Sequence, residues 1–375
     1  MTGLLAFRAD ASVEIGSGHV MRCLTLARAL RDAGREVLFV SRALQGNLNA
    51  HIRREGFALA ELPAPDAAEH GRSPTAHAAW LGVDWQKDAQ QTAEALRASP
   101  PEWLILDHYA LDAAWQRAAL PEGCRLMVID DLADRPHHAD LLLDQNLGRA
   151  AEDYAALVPP GCTVLAGPRY ALLRPEFARL RAAALARRED RRQEQPALRN
   201  LLVFLGGMDK DNVTGLVLSA LAACPLPEAA RVTVVMGSSA PALAAVRAQC
   251  AGLPFPVDLR VDAGNMAELM AQADLAIGAA GSTSWERCCL GLPTIVVSVA
   301  QNQTALLQRL RLANAAMTLD LSGEDDVVRR LGACLDRLSD PGRYAAMSAA
   351  AAEICDGGGT DRVVRHVLGC RTGEA

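Results

Sequence analysis

Short apolar runs that end in polar residues recur along this chain, with amphipathic stretches between them. Leu4, Leu5, Ala6 and Phe7 open the series, after which Val20, Cys23, Leu24, Ala27 and Leu30 fall at helical spacing up to Gly34. Residues 36–41, 103–107, 126–131, 139–144 and 163–167 continue the pattern. Runs that are apolar on both faces and separated by helices predict a buried parallel sheet of the doubly wound kind. From Arg174 to Pro196 arginines interleave with acids in a solvated helix that runs into proline, the signature of an interdomain connection. The alternation then resumes at 200–205, 232–236, 257–261, 274–277 and 294–299. The chain therefore reads as α/β: two Rossmann-like doubly wound domains, residues 1–178 and 199–375, joined by a linker at 179–198 and facing one another across a cleft.

Polar residues at the strand ends gather on one rim: Asp10, Asp107-His108-Tyr109, Asp130-Asp131 and Asp144-Gln145-Asn146. His19 joins them, because Gly16-Ser17-Gly18 stands between the first strand and the first helix. That is where open α/β sheets bind ligands. A glycine turn with a surface histidine would look the same in isolation. In the second half, Gly206-Gly207 ends one strand, and Gly281 with Ser282-Thr283-Ser284 ends another just before Trp285-Glu286. Glycine and hydroxyls ahead of a helix favour a diphosphate, and a glutamate one turn in suits a ribose diol. A capping box between Thr283 and Glu286 is the bland alternative. Two anion-friendly turns in one domain favour the nucleotide.

Composition narrows the field. The formal charge of −6, with no concentrated basic face, argues against a nucleic-acid partner. No apolar run approaches the roughly 18 residues of a membrane span, and Met1 leads straight into a strand without a signal peptide. Ten cysteines form no CxxC pair or metal-ligand spacing, and His137-His138 lack partners to complete a metal set, so a reduced cytoplasm, no metal and no cofactor are expected. The segment 63–86, with His70 and His77, has no reading beyond a possible effect on access to the cleft.

Several motifs together resemble the sugar-nucleotide hydrolases of pseudaminic acid biosynthesis. They are Arg8-Ala9-Asp10-Ala11-Ser12 with IGSGHVMRC, Asp107-His108-Tyr109, LDQN at 143–146, GPRYALLRPEF at 167–177, GGMDKDN at 206–212 and GSTSWERCCLGLP at 281–293. The second half is also distantly similar to the glycosyltransferase that adds N-acetylglucosamine to the peptidoglycan lipid precursor. The resemblance implies a GT-B fold with UDP on the C-terminal domain, held by Gly206, Gly207, Gly281, Ser282, Thr283, Ser284 and Glu286. It implies His19 and Tyr109 as catalytic residues. Asp10, Gly18, Arg22, Asp107, Asn146, Arg174, Asn302 and Gln303 become the substrate-binding set. The implied substrate is a UDP-linked 2,4-diacetamido-2,4,6-trideoxy sugar, cleaved by water at C1 with inversion in a monomer. One base suffices, because UDP leaves without a proton, and an imidazole suits that task at neutral pH. An inverting glycosyltransferase would share the fold and the UDP site, with His19 activating an acceptor alcohol. A non-catalytic binding module would need neither His19 nor Tyr109.

Overall fold

The computed structural model describes residues 3–66, 73–193, 198–297, 304–321 and 324–369. Among them, two all-parallel sheets form the frame. The first comprises β1 (Leu4–Ala9), β2 (Glu36–Arg42), β3 (Ala58–Leu62), β4 (Trp103–Asp107), β5 (Arg125–Ile129), β6 (Leu141–Asp144) and β7 (Thr163–Ala166), in the order β3-β2-β1-β4-β5-β6-β7. The second comprises β8 (Asn200–Phe204), β9 (Arg231–Met236), β10 (Val257–Val261), β11 (Leu275–Ala279), β12 (Thr294–Val297) and β13 (Met317–Leu319), in the order β10-β9-β8-β11-β12-β13. Each order reverses once, between β1 and β4 in one sheet and between β8 and β11 in the other.

Side-chain alternation along β1 shows why the first sheet is buried on both faces. Leu5, Phe7 and Ala9 pack with Val20, Leu24 and Ala27 of the helix Gly18–Asp32. Ala6 points the other way, into a core with Leu104, Leu106 and Trp115. Arg8 shares that opposite direction and is fully buried, so its charge must be met locally. Asp10 lies 2.6 Å from its guanidinium and Asp88 2.7 Å away, and Arg42 approaches Asp88 at 2.6 Å. The Trp115 indole N–H donates to Asp88 as well.

The units divide at Leu172, differing from the expected boundaries at two places. One unit is Met1–Leu172 with Gly359–Ala375; the other is Leu173–Gly358. The helix Pro175–Gln193 is part of the second unit because Arg181 donates to the carbonyls of Cys289, Ala352 and Cys355, and Arg188 to that of Met270. The helix Gly359–Leu368 returns to the first unit, where Val363 and Val367 are fully buried in the β1 core. Among the described residues, no helix is long and apolar enough to cross a membrane.

Candidate functional site

At the reversal point of the first sheet Ala9 pairs with Asp107, so the chain beyond β1 and the chain beyond β4 leave the sheet side by side. The Ser12 hydroxyl accepts the N–H groups of Glu14 and Ile15, and Gly16 turns the chain at φ 79°. That turn delivers His19 to the first turn of its helix. His19 Nδ1 lies 2.6 Å from Asp107 Oδ1, and His19 is only 8% exposed. With the buried carboxylate accepting from Nδ1–H, the neutral ring carries its lone pair on Nε2. Nε2 has no protein hydrogen-bond partner among the described residues.

Asp107 is fully buried, which would raise its pKa, but Arg22 and His19 hold it well below the ordinary carboxylate range. Arg22 grips it twice, with Nε at 2.6 Å and Nη2 at 2.8 Å. The remaining Arg22 nitrogen reaches Asp131 at 2.7 Å, and the Tyr109 hydroxyl donates to the same Asp131 oxygen at 2.5 Å. Burial, then the Asp131 charge, push the Tyr109 hydroxyl well above its ordinary value, so it stays a donor. The Asn146 side chain donates to the Asp131 carbonyl and carboxylate, tying the end of β6 to this cluster. A chain of charge and hydrogen bonds thus runs from Tyr109 through Asp131, Arg22 and Asp107 to His19.

Two expected substrate contacts take other roles. Asp107 faces inward and orients His19 and Arg22. Asp10 is also fully buried, bound by Arg8, the Arg42 N–H and the Ser41 hydroxyl, and with Asp88 it meets the buried charge of Arg8. Gly18 is exposed, with open space where a Cβ would stand. Arg174 belongs to the other unit, 3.8 Å from Glu286 and 3.1 Å from Glu176. Asn302 and Gln303 lie outside the described residues. Three residues absent from the expected set complete the cluster. Asp131 joins Tyr109 to Arg22, and His77 and Trp80 stand beside Tyr109, their ring centroids 5.3 and 5.6 Å from its own.

In the second unit, the register Phe204 to Gly278 carries both glycine turns to the same reversal point. Gly206 adopts φ 105°, a conformation that favours glycine. Gly237 approaches the Gly207 carbonyl so closely that a side chain at 237 would collide with it. Within the other turn, Gly281 and Ser284 spend their N–H groups on Ser284 Oγ and the Gly281 carbonyl. The N–H groups of Gly206, Gly207, Ser282 and Thr283 take no protein acceptor among the described residues. Buried Arg287 props this turn through Ala279 O, Ser284 Oγ and Thr283 Oγ1. The Ser282 side chain makes no cap hydrogen bond, and no capping box forms around the helix Thr283–Cys289. Burial pushes the Glu286 carboxyl up to about 7 against the opposing pull of Arg174 and Arg287. Among the described residues no three His, Cys, Asp or Glu side chains are grouped to hold a metal ion.

No protein-family model matches the chain. It is 28% identical over 298 residues to the UDP-2,4-diacetamido-2,4,6-trideoxy-beta-L-altropyranose hydrolase of Campylobacter jejuni, a match covering 79% of this chain and 92% of that one. It is 36% identical over 155 residues to the spore coat polysaccharide biosynthesis protein SpsG of Bacillus subtilis, covering 41% of this chain and 43% of the relative. The fold is that of the GT-B glycosyltransferases. The MurG structure from Acinetobacter baumannii superposes with a TM-score of 0.67 at 16% identity, covering 98% of this chain and all of that one. The spinosyn rhamnosyltransferase SpnG with thymidine diphosphate gives 0.60 at 17% identity, covering 98% and 100%.

Proposed function

We propose that this chain hydrolyses a UDP-linked 2,4-diacetamido-2,4,6-trideoxy sugar at C1, releasing UDP and the free sugar for pseudaminic acid synthesis. The observation that carries this reading is the His19–Asp107 pair at a sheet reversal point, its second nitrogen left open. Nε2 takes a proton from water as the oxygen attacks C1, and Asp107 and Arg22 hold the imidazole in place. Attack opposite the leaving diphosphate inverts the anomeric carbon. The developing charge on UDP is assigned to the free N–H groups of Gly206, Gly207, Ser282 and Thr283, so no metal step is required. Glu286 is assigned to the ribose, and Tyr109 to the sugar beside His19. The similarity to the Campylobacter hydrolase along most of both chains supports water as acceptor. The GT-B fold is equally compatible with transfer to an alcohol, and this makes the acceptor the quantity to measure.

Hydrolysis in oxygen-18 water with a chelator present is expected to put the label on the sugar C1 hydroxyl and leave UDP unlabelled. Label in UDP would mean attack at phosphorus and would remove His19 from its assigned role, whereas loss of activity on chelation would mean that a metal ion carries the charge assigned to those N–H groups. Turnover that appears only when an acceptor alcohol is added would convert the assignment to a glycosyltransferase.

A further inference from the structure

The charged partners of His19 all lie on the Nδ1 side of the cluster; aromatic groups flank it elsewhere. Tyr109 meets the imidazole edge-on at 4.6 Å, and Trp80 does so at 6.3 Å. Trp80 lies nearly parallel to Tyr109, and His77 packs against both, 4.6 Å from Trp80 and 5.3 Å from Tyr109. His77 Nδ1 is buried without a hydrogen-bond partner, and burial lowers the imidazole pKa, so the ring sits here as a neutral packing surface.

His77 and Trp80 come from the segment that the sequence left without a role, and the structure fixes it at several points. Ser73 donates to the Ala110 carbonyl at 2.6 Å. Leu81 and Val83 are buried in the core on the β4 face. Between them Gly82 adopts φ 73°, with Pro65 and Leu44 packed where its side chain would be. Trp80, half-buried, is therefore held in place before any ligand arrives.

We propose that Trp80, supported by His77, is the specificity-determining residue of this site, selecting pyranoses that present a methyl group where common hexoses carry a hydroxyl. The proposal rests on the sugar-nucleotide reading above and deepens it. Aromatic faces favour the C–H surface of a pyranose, and a deoxy methyl buries apolar area against them. A hydroxyl at the same place loses its water and finds no donor or acceptor on an indole face.

The test compares the full-length wild type with Trp80→Ala and Trp80→Phe on UDP-linked N-acetylated sugars with and without the 6-hydroxyl. Ligand-observed NMR with the matching free sugars runs in parallel. Wild type is expected to prefer the 6-deoxy substrate by roughly 10–200-fold in kcat/KM, the range a methyl-sized difference supports. Trp80→Ala should reduce that preference about tenfold or more, chiefly through KM, while Trp80→Phe keeps most of it. A preference unchanged in Trp80→Ala, or equal losses on both sugars, overturns the proposal. If wild type cleaves neither substrate yet binds the free deoxy sugar preferentially, and Trp80→Ala abolishes that preference, the hydrolase reading fails and the platform stands.

Discussion

At the scale of single residues, His19 is set by a neighbour 88 positions away in sequence. Replacing Asp107 with Asn keeps the shape but offers an amide where Nδ1–H needs an acceptor, and leaves buried Arg22 with one carboxylate fewer. Asp107→Asn is expected to lower kcat by about 10²–10⁴-fold, the usual worth of a positioned general base, and to lower stability as well. His19→Asn should match it in kcat while melting close to wild type. Normal turnover in Asp107→Asn with only a lower melting temperature would reduce Asp107 to a structural ion-pair partner. Glu286 gives a pH signature. Its folded-state value of about 7 lies above the ordinary 4.5, so the fold favours the protonated form. That contribution to stability is complete below about 4.5 and lost as pH rises through about 7. A ribose diol needs the carboxylate, so calorimetric UDP affinity should rise across pH 7 and Glu286→Gln should flatten the rise. A flat profile in wild type would take the ribose away from Glu286.

At the scale of elements, the strands written as continuous apolar runs were legible: β1, β4 and β9 lie within a residue or two of where their hydrophobicity placed them. β3 was not, since ALAEL favours a helix by composition and becomes a strand only by pairing with β2. β13, three residues long, is too short for any pattern to mark. The glycine turns and the helix after His19 were legible for the opposite reason, because glycine and a change of period are local signals. The partner of His19 was not, since nothing local joins Asp107 to it; the sheet order does, by laying β4 beside β1. Trp80 was hidden for a similar reason. Its segment has no periodicity, and its position follows from Gly82, Ser73 and the two core residues that pin it.

At the scale of the whole molecule, one unit is assembled from both ends of the described chain. Val363 and Val367 are fully buried in it, and each such side chain contributes about 1.5–3 kcal/mol when taken out of water. A chain ending at Gly358 should therefore lose stability in the first unit selectively. Trp80, Trp85, Trp103 and Trp115 lie in that unit and Trp285 in the other, so tryptophan fluorescence during urea unfolding can be apportioned with a Trp285→Phe control. UDP binding is expected to persist while hydrolysis fails. Unchanged fluorescence midpoints in the shortened chain would mean that the helix Gly359–Leu368 contributes nothing to the first unit.

The same return of the chain sets an order of events on the ribosome. The first unit is synthesised early but cannot close its core until the helix Gly359–Leu368 has left the exit tunnel. The second unit, continuous from Leu173 to Gly358, has all its parts before then. At the usual ~5–20 residues per second the wait is roughly 10–40 s. Through that interval the surface destined for Val363 and Val367 stays open to solvent and to chaperones, and a segment made after the second unit completes the unit begun before it.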